Sequence, residues 1–266
     1  MTDGALHVGF PGETFISQAE FESFCSAQQS RLDSRFAYEQ TLASAGSGLI
    51  RTGSCAPCLR VARYSTAAGT ATDWRDGQVC DCDDRLGNRA RAMLHFLEAS
   101  ASLDPWSRVA LLGPMSPLDT RLARGRPAPI RLPRLEWDSA HDAIAGYRLP
   151  AADGDFSLAV SWDYLHHVPP LQTALAEICR VLQLGGRFVF SLPFHYRASH
   201  TISRLGHIPR RAGRLPAEFR GEIHEIGWDI LAMLRQAGFS GSRAHHHWSD
   251  ELGYLGAFNL LFSADK

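Results

Sequence analysis

LPAADGDFSLAVSWDYLHHVPPLQTALAEICRVLQLGGRFVFSLPF, residues 149–194, reads in order as strand, helix, Gly-Gly turn and strand. Phe156 to Ser161 is a short apolar run, as in a strand covered on both faces, and it ends at Trp162-Asp163, where polar residues begin. Apolar positions then recur at Leu171, Ala174, Leu175, Ile178, Val181 and Leu182, the spacing of one helix face, with Pro169 and Pro170 suited to the first turn. Gly185-Gly186 is expected to stop that helix. Arg187 to Leu192 is the next apolar run, which a right-handed crossover places parallel to the first strand. The segment is therefore a βαβ unit, and ligands of such sheets bind beyond the carboxyl ends of the strands.

Working outward, Gly227 to Ala237 reads as an amphipathic helix through Trp228, Leu231 and Leu234, ended by Gly238. Ser242 to Trp248 and Phe258 to Ala264 follow as strands of a final hairpin. Upstream, Arg108 to Leu112 is expected as the first strand of the sheet and Ile130 to Trp137 as the second. Arg89 to Ser100 reads as a helix leading into them. Residues 17–42 suit a helix with Phe15, Phe21, Phe24, Leu32 and Phe36 as anchors, which could cover an active site or pair two subunits as a homodimer.

The chain has 266 residues, 45% of them hydrophobic, enough for one sizeable core and a small appendage. Its 27 Lys and Arg against 28 Asp and Glu give no general electrostatic reason to expect nucleic acid or a membrane as partner. Arginines do gather between Arg204 and Arg220, as in an anion-binding lid or a solvated loop. No apolar run approaches the roughly 20 residues of a membrane span, and no signal-like core follows Met1, so a cytoplasmic protein is expected.

Six cysteines in a reducing compartment point away from a disulfide framework. Cys55-Ala-Pro-Cys58 and Cys80-Asp-Cys82 form two close pairs, and four thiolates converging from two turns are the tetrahedral set that structural zinc requires. The second pair is one residue shorter than the common CxxC, which brings Asp81, Asp83 and Asp84 into consideration. The same spacing also suits reduced, buried cysteines. Val61, Tyr64, Trp74 and Val79 are few large side chains for an unstapled subdomain, however. Cys179, beside core-facing Ile178, is expected to pack.

Leu149-Pro150, Asp153 to Phe156, Leu165 to Val168 and Arg180 to Gly186 together resemble the late motifs of the class I S-adenosylmethionine-dependent methyltransferases. GWDILAMLRQAGF followed by WSDELGYLG is similar to the ending of methyltransferase-like proteins that carry an N-terminal cysteine cluster, and Asn88-Arg89-Ala90-Arg91 to the Arg-rich helix that follows their ribbon. The resemblance covers most of residues 51–266. It implies an α/β protein with a Rossmann-like seven-stranded methyltransferase fold, a mostly parallel sheet with a C-terminal antiparallel hairpin, plus a small N-terminal zinc-ribbon-like subdomain. The organisation expected is a helical segment at 1–50, the cysteine-rich subdomain at 51–88 and a methyltransferase-like domain at 89–266 with a lid insertion at about 195–226.

The same resemblance implies S-adenosylmethionine as cofactor, structural zinc on Cys55, Cys58, Cys80 and Cys82, and methyl transfer to oxygen or nitrogen of a small-molecule acceptor, a specialised metabolite or sugar. The cofactor turn is Gly113-Pro114-Met115, where one glycine stands for several and prolines remove amide donors. Glu136 and Asp138 are the acceptors for the ribose hydroxyls, and Asp163 lies toward the methionine end. His166 replaces the family's usual Glu and, with His167, is a candidate general base, as is His224 between Glu222 and Glu225. His195 is a weaker one. In His245-His246-His247 a strand would put only two imidazoles on one face, a thin metal site. Two other readings stay open: a fold that has lost methyl transfer for another reaction, binding or scaffold role, favoured by the glycine-poor turn, and an RNA methyltransferase, opposed by the near-neutral charge.

Overall fold

Phe156–Trp162 forms β7, with Leu158, Ala159 and Val160 buried, because alternating faces of this strand are both covered. It pairs in parallel with Val109–Leu112 (β5), Ala110 opposite Ala159, and with Leu182–Ser191 (β8), Val160 opposite Val189. Residues 9–45, 49–66, 74–82, 84–100, 106–124, 129–132, 148–168, 170–204 and 222–266 are described by this computed structural model. Ile130–Leu132 (β6) lies parallel to β5, while Leu260–Asp265 (β12) runs antiparallel to β8 with Phe262 opposite Phe190. Gly241–His246 (β11) joins β12 in the C-terminal antiparallel hairpin, and Glu13–Phe15 (β1) lies beyond it. The sheet order is thus β1-β11-β12-β8-β7-β5-β6, Rossmann-like in its parallel half. The count of seven is met among the described residues by recruiting β1 from the N-terminus.

The helix of the βαβ unit is Leu171–Val181 (α5), and Leu171, Ala174, Leu175, Ile178 and Val181 are all buried, the face read from the sequence. Cys179 is also buried there. The helix does not run to the glycines: it ends at Val181, and Leu182 is already extended. Gly185, at φ 77°, and Gly186 instead form an irregularity inside β8, between the residues that pair with Phe156 and Leu158. Gly185 N–H donates to the Lys266 carbonyl and Lys266 N–H to that of Gly186. The Lys266 ammonium donates to the carbonyls of Arg180 and Leu182, at 3.2 and 2.7 Å, at the helix end.

Arg180 fastens the 149–153 loop to α5. It makes two hydrogen bonds to Glu177, one to Asp153, and two more to the Ala151 and Leu149 carbonyls. Burial alone would raise the Glu177 carboxyl, but Arg180 and the Leu149 N–H hold it below its usual range. Over the other end of the sheet, Phe188 and Phe190 stack at 4.7 Å and Phe190 on Phe262 at 5.2 Å. Ile230–Gln236 (α6) buries Ile230, Leu231 and Leu234.

The described chain divides into two compact units: Phe15–Gln18, Asp104–Ala244 and Leu261–Lys266 form one, and Met1–Thr14, Ala19–Leu103 and His245–Leu260 the other. In the latter, Ile50–Cys55 (β2), Arg60–Thr66 (β3) and Gln78–Cys80 (β4) make an antiparallel sheet in the order β2-β3-β4. The expected long N-terminal helix is two, Gln18–Ala27 (α1) and Gln29–Ser44 (α2), parted at Gln28. Phe21 and Leu32 are buried as anchors, whereas Phe36 is 53% exposed. Asn88–Ala99 (α3) is almost wholly buried. No helix among the described residues is long and apolar enough to cross a membrane.

His246 and His247 sit in the core of this unit rather than on a surface. Burial pushes their pKa values down to about 4 and about 3, with the Ala257 and His245 carbonyls opposing the shift. Between those values and about 6.5 the unfolded chain takes up protons that the folded chain refuses, so stability is complete above pH 6.5 and falls as pH drops toward 4. Urea unfolding followed by Trp248 fluorescence is expected to lose up to roughly 1.4 kcal/mol per pH unit for each histidine in that window. His247→Phe is expected to flatten the slope; an unchanged slope contradicts the assignment.

Candidate functional site

In the order β8-β7-β5-β6, the chain steps from β5 outward to β6 and then back across to β7, so the strand order reverses between β5 and β7. A crevice opens at the carboxyl ends of two such strands, where open α/β sheets place their ligands. Here those ends are Leu112-Gly113 and Trp162-Asp163.

Gly113 has φ 92°, and a Cβ built on it would meet Tyr164 ring atoms at 2.5 Å. Glycine is therefore required twice, for the left-handed backbone and for the close approach of the ring. The two prolines that follow do not leave the turn loose. Arg131, on β6, donates to the Gly113 and Pro114 carbonyls and pairs with Asp119, whose other oxygen accepts from the Ser116 N–H and hydroxyl at 2.9 and 2.6 Å. Gly113 is buried at the bottom of this braced turn, while Pro114 and Met115 are exposed.

Asp163 faces the turn's partner strand end in an equally constrained state. Its φ is 43°, rare for a residue with a side chain, its N–H donates to the Ser191 carbonyl, and its carboxylate accepts from the Ser191 hydroxyl at 2.9 Å. Backbone strain of this kind, roughly 1–3 kcal/mol, persists where surrounding contacts over-determine it and concentrates at ligand sites. A fixed carboxylate at a strand end is an acceptor for an ammonium or hydroxyl.

A 3-10 turn, Leu165–His167, follows at once. The rings of His166 and His167 lie 3.9 Å apart, but His166 is 4% exposed whereas His167 is half-buried, so His167 is the one open to a ligand. His224, on the two-residue strand His224–Glu225 (β10), packs against this turn, and the neighbouring Ile223 N–H donates to the His166 carbonyl. Its Nε2 bonds the Val168 carbonyl at 3.1 Å, which can only accept, so the proton is on Nε2 and the Nδ1 lone pair is free of partners among the described residues. Burial pulls the His224 pKa down, the carbonyl opposing it, which leaves a neutral base at neutral pH. The structure thus gathers Gly113, Asp163, His166, His167 and His224 in one unit. Glu136 and Asp138 lie outside the described residues.

Tyr164, Ser191 and Arg131 were not legible as site residues in the sequence. Each acts through a residue distant in sequence, and no short motif marks that.

The cysteine pairs come together in the other unit. Sγ atoms of Cys55, Cys58, Cys80 and Cys82 all lie within 4.8 Å of one another. Cys80 and Cys82 form a disulfide, unlike the sequence expectation of four thiols, since a CxC turn brings its two sulfurs side by side. Cys58 Sγ is 2.9 Å and Cys55 Sγ 3.9 Å from Cys82 Sγ. Four sulfurs about a tetrahedral zinc, with Zn–S near 2.3 Å, stand about 3.8 Å apart, so the reduced set fits such an ion. Both turns close through left-handed residues, Leu59 at φ 52° and Arg85 at φ 45°.

Arg91, on α3, is the electrostatic neighbour of this group. It is fully buried, makes no ion pair with a carboxylate among the described residues, and lies 4.3 Å over the Tyr64 ring. It donates to the Gln78, Leu86 and Gly253 carbonyls at 2.8, 2.8 and 2.9 Å, and Leu86 O also accepts from the Cys80 N–H. The field of Arg91 favours thiolate at Cys55, while the Cys58 thiol and burial push the Cys55 pKa up. A buried cation beside four sulfurs suits an anionic metal–thiolate group.

Residues 136–190 match the model of a family described as a methyltransferase domain. No curated protein matches the chain. Similar solved structures include an S-adenosylmethionine-dependent methyltransferase from Mesorhizobium loti, at 19% identity, covering 64% of this chain and 97% of that one, TM-score 0.36. Another from Archaeoglobus fulgidus is 11% identical, covering 68% and 95%, TM-score 0.39. The 1,6-didemethyltoxoflavin-N1-methyltransferase of Burkholderia thailandensis, with bound 1,6-didemethyltoxoflavin and S-adenosylhomocysteine, is 22% identical, covering 67% of each chain, TM-score 0.34. At such TM-scores they are similarities only.

Gly113→Ala is expected to destabilise the protein by at least roughly 1–2 kcal/mol, from the left-handed backbone alone, and to displace Tyr164. A urea midpoint indistinguishable from that of the unmodified protein would show that the turn relaxes freely.

Proposed function

We propose that this chain, whose residues 136–190 are methyltransferase-domain sequence, transfers the sulfonium methyl of S-adenosylmethionine to an oxygen or nitrogen of a small molecule, a specialised metabolite or sugar. The family match supports an enzyme of the methyltransferase class. The observation that carries the reading is the coincidence of that match, which spans β7, α5 and most of β8, with the strand-order reversal beside Gly113 and Asp163.

S-adenosylmethionine would supply an activated methyl group on sulfur. The Gly113-Pro114-Met115 turn is the proposed seat for the amino-acid end of the ligand, and the Asp163 carboxylate, fixed by Ser191, accepts from its ammonium. Glu136 and Asp138 are the proposed ribose acceptors. Alignment of donor and acceptor supplies much of the rate, and a base is needed only for an acceptor that is poorly ionised. The open ring of His167 is suited to take that proton, with His224, whose Nδ1 is buried, and His166 holding the 3-10 turn or sharing the role.

Zinc is proposed for Cys55, Cys58, Cys80 and Cys82 in their reduced state. Four protein ligands close the coordination sphere, so the ion would be structural, stapling β2, β3 and β4. Pairing of subunits through the N-terminal helices and a cytoplasmic location are retained as parts of the same proposal.

The braced turn favours a second reading, in which the fold serves binding without methyl transfer: Arg131 occupies the Gly113 and Pro114 carbonyls, and Tyr164 packs directly on Gly113.

Calorimetric titration of reduced, zinc-supplied protein separates the two. Binding of both S-adenosylmethionine and S-adenosylhomocysteine, weakened about tenfold or more in Asp163→Asn, is the expected result, since a charge-assisted hydrogen bond is worth roughly 1.5–3 kcal/mol. Folded protein that binds neither ligand favours the second reading. Elemental analysis is expected to find one zinc per chain, lost together with β-sheet signal on chelation.

A further inference from the structure

The unit that carries the cysteines also holds a groove of about 500 Å³, lined by Arg31, Ser34, Arg35, Tyr38, Trp248 and Ser249 together with the carboxylates Asp250 and Glu251. Arg31 and Arg35 stand four residues apart on α2 and so share one face. Like charges at that spacing destabilise a helix unless something neutralises them.

Nothing in the described chain does so directly. Arg35 is only 9% exposed, and its guanidinium lies 4.5 Å over the Trp248 ring, yet neither it nor Arg31 makes a hydrogen bond or ion pair with another described group. The carboxylates nearby are committed elsewhere. Asp250 pairs with Arg51 and accepts from the Tyr38 hydroxyl at 2.6 Å, and Glu251 accepts from Ser54. Glu39, fully buried, accepts from Arg75 at 2.6 Å, the Trp248 indole N–H at 2.7 Å and the Gly256 N–H at 2.8 Å. Glu39 and Glu13 reach Arg35 only through their field.

Two guanidiniums on one groove wall, one of them nine-tenths buried and lacking an acceptor among the described residues, form a site waiting for an oxyanion. The planar fork of arginine matches a phosphate or carboxylate. The Ser249 hydroxyl, which accepts from the Leu252 N–H, keeps its proton as a further donor, whereas that of Ser34 is given to the Ser30 carbonyl. The Tyr38 hydroxyl is already spent on Asp250. We propose that this groove binds the oxyanion group, phosphate monoester or carboxylate, of a small molecule. Its volume suits a ligand of metabolite size.

Inorganic phosphate and, in a separate arm, acetate are titrated into the full chain at constant ionic strength, with Trp248 fluorescence and calorimetry as readouts. Saturable binding of at least one probe is expected, phosphate alone identifying a phosphoryl site and acetate alone a carboxylate site. Arg35→Met, which keeps the apolar stem on Trp248, and Arg31→Gln are each expected to weaken binding about tenfold, while Arg108→Gln, at a surface ion pair in the other unit, leaves it unchanged. No saturable binding of either probe, or equal affinity in folded Arg31→Gln and Arg35→Met, overturns the proposal. Where Arg35→Met fails to fold, the exposed Arg31→Gln decides alone.

Discussion

The approach of the Tyr164 ring to the backbone of Gly113 is the constraint from which the candidate site follows. With a Cβ position only 2.5 Å from the ring, Gly113 has to be glycine, and its left-handed φ turns the chain sharply at the carboxyl end of β5. That turn then needs something to hold it, because prolines at 114 and 117 remove two amide donors. Arg131 and Asp119 provide the brace from outside the turn. A glycine-poor loop is in this way made rigid by an arginine on the neighbouring strand, where several glycines would have made it merely open. On the other side of the crevice, Ser191 performs the same service for Asp163. A site assembled from braced strand ends is pre-organised, and pre-organisation is what methyl transfer by alignment requires.

Buried charge organises the second unit as well, in two different ways. Glu39 has no exposed surface, yet its carboxylate is matched by one arginine and two further N–H donors. Arg91 is equally buried, but its donors go to carbonyls, its face to Tyr64, and no carboxylate among the described residues pairs with it. Removing a partner from a buried charge commonly destabilises by several kcal/mol, so whichever anion compensates Arg91 has structural consequence. A zinc–thiolate group at the four reduced cysteines, as proposed, would supply that anion without any further residue. It also explains why α3, which carries Arg91, grips through Gln78 and Leu86 the segment that bears Cys80 and Cys82.

The parallel half of the sheet was legible because its signals are local and periodic. The α5 face and the β7 run are each set by residues a few positions apart, and the structure places them as read; the four cysteines also meet, but with Cys80 and Cys82 joined. The failures came where distant residues decide. Gly185-Gly186 read as a helix stop, but Leu182 finds a fully buried, extended position, and the glycines are used one strand turn later against Lys266, the far end of the chain. The N-terminal helix breaks at Gln28 with no glycine or proline to announce it, and Phe36 shows that an aromatic residue on a helix is not thereby an anchor. His245-His246-His247, polar in sequence, is core, because the aromatic rings of Phe10, Phe24 and Phe96 approach the three imidazoles. Arg131 and Ser191 could not be found at all from one sequence, since their importance lies in contacts with residues far away along the chain.

The central claim, that the crevice between β5 and β7 holds S-adenosylmethionine, is tested most directly by photo-crosslinking the radiolabelled ligand and mapping the modified peptide by mass spectrometry. Label confined to peptides containing Gly113–Asp119 or Asp163–His167, and competed away by S-adenosylhomocysteine, is the result this account requires. Competable label on any other part of the chain, or none on folded protein, would contradict it.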